Sequence, residues 1–241
     1  MIRGLVGRKI GMTQTFNKEG NVFPVTLIEA SVCTIVDIKE TPKKKISIGF
    51  EPVKESRIKK PQLGFFKKIG VPPMRGIKEF DSTDNKDYKV GQQIKADIFR
   101  AGECVDVSGI SIGKGFQGGM KRWHWSGGPA GHGSMHHRRV GSIGASADPS
   151  KTLKGTHMPG HMGAKSVTVK GLRVIDVDAE KNLIAVHGAV PGHKNALLVI
   201  NRSLTKPYKD PNEKKEVVVR KINPMKLSKA KHGGKKKKKK K

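Results

Sequence analysis

The amino-acid sequence predicts a mainly β protein: a small barrel with a small insertion and a long irregular central extension. Three observations predict it. Short runs rich in Val, Ile and Thr recur at close spacing, with turn residues between them. Few stretches carry a helical period. Residues 113–163 carry neither helix period nor strand alternation. Many short strands with few helices favour a barrel over a parallel sheet, and closure removes the free edges through which strands aggregate.

The elements follow in order. "GNVFPVTLIEA" (20–30) and "SVCTIVDIKE" (31–40) read as strands, and "KKISIGF" (44–50) alternates. Asn17 and Gly20 punctuate them. Residues 51–88 change character, and their prolines, lysines and "QLGFFKKIG" predict the insertion with one short helix. Strand signals return at "YKVGQQIKADIF" (88–99) and "ECVDVSGISI" (103–112). After the central stretch come "KSVTVKGLRVIDVD" (165–178), "KNLIAVHGAVPG" (181–192) and "NALLVIN" (195–201). In the first of these the apolar parity slips by one at Gly171, which predicts a β-bulge. The expected organisation is a core over 1–112 and 164–204, an insertion at 51–88, an arm at 113–163 and a basic tail at 205–241. The tail ends in seven lysines and is expected to be disordered when free.

Charge narrows the function. The 241 residues carry 49 Lys and Arg against 20 Asp and Glu, a net +29. Such a surplus repels itself unless a polyanion neutralises it, nucleic acid being the first candidate and an anionic membrane surface the second. Cys33 and Cys104 are far apart with no CxxC, so reduced thiols are expected, with one disulfide as the alternative. "MIRGLVGRKIGMTQ" lacks the apolar core of a signal peptide, and no apolar run nears the ~18 residues of a membrane span. A soluble, cytoplasmic protein is expected.

The central stretch holds the chemistry. It contains thirteen glycines, six histidines and one acid, Asp148. Gly113 to Gly118 fit G-x-G-x-x-G, but no amphipathic helix follows and no acid stands about 20 residues on, so a dinucleotide site is not expected. A P-loop fails too: Gly109 to Gly113 is one residue short, and Gly115 replaces the hydroxyl residue. The histidines are His124, His132, His136, His137, His157 and His161. His157 and His161 have i, i+4 spacing, but Pro159 and Gly160 between them oppose a helix. No cysteine or second carboxylate is near enough in sequence to complete a metal set. No metal or cofactor is expected. Hydrolysis would want a carboxylate beside a histidine, and the stretch offers one acid.

RNA fits better. Glycine lets the backbone pass close to phosphates. Lys114, Lys121, Arg122, Arg138, Arg139, Lys151 and Lys154 supply cations at intervals. Phe116, Trp123 and Trp125 can stack on unpaired bases; the tryptophans would equally close a hydrophobic lid on the barrel. Histidines that bond or stack on RNA complete the set. Duplex DNA is the poorer target, because a groove reader presents a rigid helix or ribbon. The expectation is an arm that orders on folded RNA.

"GLVGRKIGMTQTF" (4–16), "GKGFQGGMKRW" (113–123), "HGSMHHRRVGSIG" (132–144), "LKGTHMPGHMG" (153–163) and "VTVKGLRVIDVDAEKNLIAVHGAVPG" (167–192) carry a resemblance over about residues 1–204. The chain resembles the universal large-subunit ribosomal protein L3 family in its bacterial form. The resemblance implies a translation-factor-like closed β-barrel with an α+β insertion. It implies binding to large-subunit rRNA near its 3′ end, a role early in assembly, and no enzyme activity or small-molecule substrate. The implied neighbours are the fourteenth and nineteenth large-subunit protein families. It further implies an arm reaching toward the peptidyl-transferase centre, its tip at about 141–150, where Ser142 and Ser146 are RNA-contact candidates. Many bacterial members carry Gln-Asn-Gln there with a methylated glutamine; Ala145, Ser146 and Ala147 leave no such acceptor. Two rivals stand beside this reading: a generic, chromatin-like polyanion binder and a histidine-rich metallohydrolase.

Overall fold

The computed structural model describes residues 2–16, 20–39, 45–82 and 88–206. The predicted tail lies outside the described residues from 207 onward. In chain order the elements are β1 (Gly4–Phe16), β2 (Val22–Ala30), β3 (Cys33–Lys39), β4 (Lys45–Pro52), α1 (Lys60–Ile69), β5 (Met74–Asp81), β6 (Gln93–Ile94) and β7 (Cys104–Ile110). There follow β8 (Gly115–Gln117), α2 (Gly119–Trp123), β9 (Gly160–Met162), β10 (Ser166–Asp178), β11 (Leu183–His187) and β12 (Leu197–Arg202).

Period-two alternation builds the first sheet. Val105 and Val107 of β7, Ile184 and Val186 of β11, and Leu198 and Ile200 of β12 are all fully buried. Residues two apart share a strand face, so each strand turns one apolar row inward. Each such side chain contributes about 1.5–3 kcal/mol when taken from water. The strand order is β1-β12-β7-β10-β11-β2, every pairing is antiparallel, and β2 returns to β1. Each of the six strands therefore has two hydrogen-bonded neighbours and the ladder closes.

The slip predicted at Gly171 is real. The β10–β7 register shifts between Val169 and Leu172. Gly171 has φ +69, and its N–H donates to Asp106 Oδ1 at 2.7 Å. A left-handed φ is cheap for glycine alone, so the extra residue sits there.

A second sheet, β5-β4-β3-β6, packs into the same apolar cluster: Ile35, Ile48, Phe50 and Phe80 join Leu5, Val107 and Ile200. The sequence placed residues 31–50 with the barrel, yet β3 and β4 pair in this second sheet. Alternation specifies a strand and its buried face but not its partner. "YKVGQQIKADIF" is mostly not strand. It gives the two-residue β6 and a 3₁₀ turn at Ala96–Ile98. Gly91, at φ +85, turns the chain there, its N–H donating to Ile35 O at 2.8 Å. The predicted helix is α1. Pro61 opens it, Gly70 in the left-handed region closes it, and Phe66 is buried beside Val36, Val71 and Met74.

Both cysteines are free. Cys33 lies buried with Sγ 3.7 Å from Val6 O, and burial pushes its thiol up to about 11. At the seam between the sheets, Glu51 accepts from Arg8 Nε of β1 at 2.5 Å and from Arg75 Nη1 of β5 at 3.0 Å. The Arg8 hydrogen bond, aided by Arg75 and against the cost of desolvation, holds the Glu51 carboxyl below its ordinary range. A lowered folded pKa gives stability that is present above the unfolded value and lost as pH falls through the folded one. Glu51→Gln is expected to cost about 1 kcal/mol at pH 7, since both arginines remain partly in water. Denaturant melts from pH 7 to pH 2 should show the gap to wild type closing below about pH 4. A gap that stays constant across that range would count against the seam.

Candidate nucleic-acid interface

The arm's position follows from strand pairing. β7 and β10 are barrel neighbours, with Ile110 opposite Ser166. The chain therefore leaves the barrel and re-enters it at one place. Ser111 N–H donates to Lys165 O at 2.9 Å, and Lys114 N–H donates to Met162 O at 2.9 Å. β8 and β9 then pair, with Phe116 opposite His161. Residues 113–163 thus begin as the continuation of a β7–β10 hairpin, where the sequence reading expected no regular structure. Alternation failed to reveal it because neither face of the ribbon is buried. Phe116 is 76% exposed and His161 is exposed.

A clamp ties the two legs together beyond the ribbon. α2 follows at once, a five-residue helix the sequence reading missed. It does not revive the dinucleotide reading, because β8 pairs antiparallel with β9 and no parallel βαβ unit exists here. On the returning leg, Met158 O accepts from Arg122 Nη1 at 2.7 Å and from Trp123 Nε1 at 2.8 Å. The His157 ring stacks on Trp123 with centroids 4.1 Å apart and planes 7° from parallel. Arg122 Cζ lies 4.9 Å from the Trp123 ring centre. Gly160 leaves room for that guanidinium: a Cβ there would stand 2.6 Å from Arg122 Nη1. The Trp125 ring lies against Gly119, where any Cβ would collide with it. Both indoles therefore pack within the arm, and the alternative of a lid on the barrel is corrected.

Further out, Gly128 N–H donates to His137 O at 3.1 Å, and His137 Nδ1 donates to Pro129 O at 2.9 Å. Beyond Arg139 the bonds are local, such as Ser142 Oγ to Gly144 O at 3.1 Å and Thr156 Oγ1 to Leu153 O at 2.8 Å. The candidate contact residues Lys114, Lys121, His124, His132, His136, Arg138, Arg139, Ser142, Ser146, Lys151 and Lys154 are all exposed. Arg122 and Trp125 are half-buried. Among the described residues no group of three or more His, Cys, Asp or Glu gathers at metal-binding distance. The structure thus brings Trp123, His157 and Arg122 together and leaves the cations spread along the arm. Sequence reasoning missed Met120 and Met158, and it missed that Met135 (81% exposed) and Leu153 stand in the open. Apolar side chains in a cationic, unburied segment were the available signal.

The family model for ribosomal protein L3 matches residues 75–183, which take in the whole arm and both strands that carry it. Over those residues the chain is similar to the ribosomal protein L3 family. The match supports a structural component of the large ribosomal subunit in the cytoplasm. It likewise supports rRNA binding and a part in translation within a ribonucleoprotein, among other ribosomal proteins. Ribosomal protein L3 is structural and not an enzyme. Cations recur along the matched arm with one acid, Asp148, among them.

The clamp can be tested in the free protein. Trp123→Ala removes a stacked pair worth about 0.5–1.5 kcal/mol and an indole hydrogen bond worth about 1 kcal/mol. Tryptic cleavage after Arg138 and Arg139 is expected to rise about tenfold through local opening. The barrel's own stability should hold within about 0.5 kcal/mol. Cleavage at the wild-type rate would contradict the clamp.

Proposed function

We propose that the barrel, of the translation-factor type, sits at the surface of the large subunit while residues 113–163 run inward toward the peptidyl-transferase centre. The protein binds rRNA near its 3′ end and acts early in subunit assembly, beside the fourteenth and nineteenth large-subunit proteins. The division into a barrel core, an arm and a basic tail is part of this proposal. The observation that carries it is the arm's form: a hairpin rooted on two barrel strands, with exposed cations along it and one acid, Asp148. Such a finger has little to bury of its own, and its charges lower phosphate repulsion where RNA helices crowd. Lys114 and Lys121 stand near the root and Arg138, Arg139, Lys151 and Lys154 further out, so contacts extend along its length. The tip, with Ala145 and Ala147, meets its surroundings through small side chains and through Ser142 and Ser146.

Salt dependence measures the contacts. With about ten phosphates engaged, the log–log slope of affinity against salt is expected near −7 to −9. Arg138→Ala combined with Arg139→Ala should make that slope shallower by about 1.4–1.8. The same double variant should impair subunit assembly in reconstitution while the isolated barrel melts as wild type. Unaltered assembly with an unaltered slope would contradict an engaged arm. Equal affinity for random duplex DNA and large-subunit rRNA fragments would favour a generic polyanion binder instead.

A further inference from the structure

Midway along the arm lies a cavity of about 200 Å³, lined by Met120, Trp125, Gly127, His136, Arg138, Arg139 and Val140. That volume corresponds to roughly six or seven waters at ~30 Å³ each. It falls short of the ~300 Å³ at which pockets for drug-sized ligands begin. We infer that the cavity receives one extruded nucleobase of the ribosomal RNA. The inference rests on the arm being an RNA contact and goes further, because it selects one ring and one mode.

The two tryptophans are not equivalent. Trp123 stacks on His157 and spends its N–H on Met158 O. Trp125 packs against Gly119 on one side and contributes the rest of its half-buried ring to the cavity. A flat, polarisable surface beside the methionine and valine side chains suits a base taken out of its stack, since every base has a π-face. The rim suits what an extruded base brings with it. Arg138 and Arg139 are exposed cations of adjacent residues, placed for the phosphates on either side of the nucleotide. His136, also at the rim, offers ring nitrogens to the base edge. A base pocket also explains why an aromatic, an apolar wall and two arginines share one small concavity on an otherwise open arm.

The chain has two tryptophans, so Trp123→Phe leaves Trp125 as the sole indole reporter in the full-length protein. Titration of that variant with AMP is expected to quench Trp125 emission, whereas ribose 5-phosphate should leave it unchanged. Equal quenching by both, or by neither, would overturn the pocket. In rRNA binding, Trp125→Ala should weaken affinity by about 5- to 150-fold with the salt slope unchanged, because stacking and not charge is removed. Trp125→Phe should recover most of the loss. Wild-type affinity in Trp125→Ala would also overturn the pocket. The arm reading fails separately: its sign is a salt slope that the Arg138 and Arg139 substitutions do not move.

Discussion

The antiparallel pairing of β7 with β10 is the constraint from which the rest follows. Two neighbouring barrel strands fix the exit and the return of the arm within one hydrogen-bond ladder. An excursion of this length has no free ends to manage, and its loop-closure cost is met by barrel contacts that exist for other reasons. The pairing continues past the barrel rim through Ser111 and Lys165 into the β8–β9 ribbon. A rigid root means that orientation is inherited from the core, and partners need not supply it.

Beyond the ribbon, order is kept by a few polar and aromatic contacts. Met158 O gathers two donors from α2, and His157 covers part of Trp123. These groups lie near water, so each contributes about a kilocalorie per mole or less, in contrast to the apolar rows of the barrel. The consequence is a gradient of intrinsic order, from a barrel held by buried aliphatics to a tip whose bonds join near neighbours in sequence. Charge runs the other way: among the described residues the arm's cations have no acidic partner where intrinsic structure is weakest, which is the arrangement the proposed polyanion contact would use.

How much was legible differs by element. The barrel strands could be read because one face of each is buried, as at Val105 and Val107, and the Gly171 bulge could be read because parity must break there. Sheet membership could not: Ile35 and Ile48 face each other across a β3–β4 hairpin that a barrel could equally hold, and it is the flanking β5 and β6 that make the second sheet. The β8–β9 ribbon was invisible because both of its faces meet solvent. The candidate contact residues were chosen as a class from glycine, cation and histidine content, and the structure leaves most of them exposed. Their internal use was not legible, since the Trp123–His157 stack joins residues far apart in sequence. The cavity at Trp125 needs Met120 and Val140 brought together, which no spacing rule supplies.

Amide hydrogen exchange on the full-length protein, free and bound to large-subunit rRNA, tests the central claim most directly. In the free protein the amides of residues 114–117 and 160–162 are expected to be protected along with β7 and β10, and those of 141–156 to exchange fast. Binding should protect 141–156 and leave the barrel pattern as it was. A tip already protected in the free chain, or one that rRNA leaves fast-exchanging, would contradict the account.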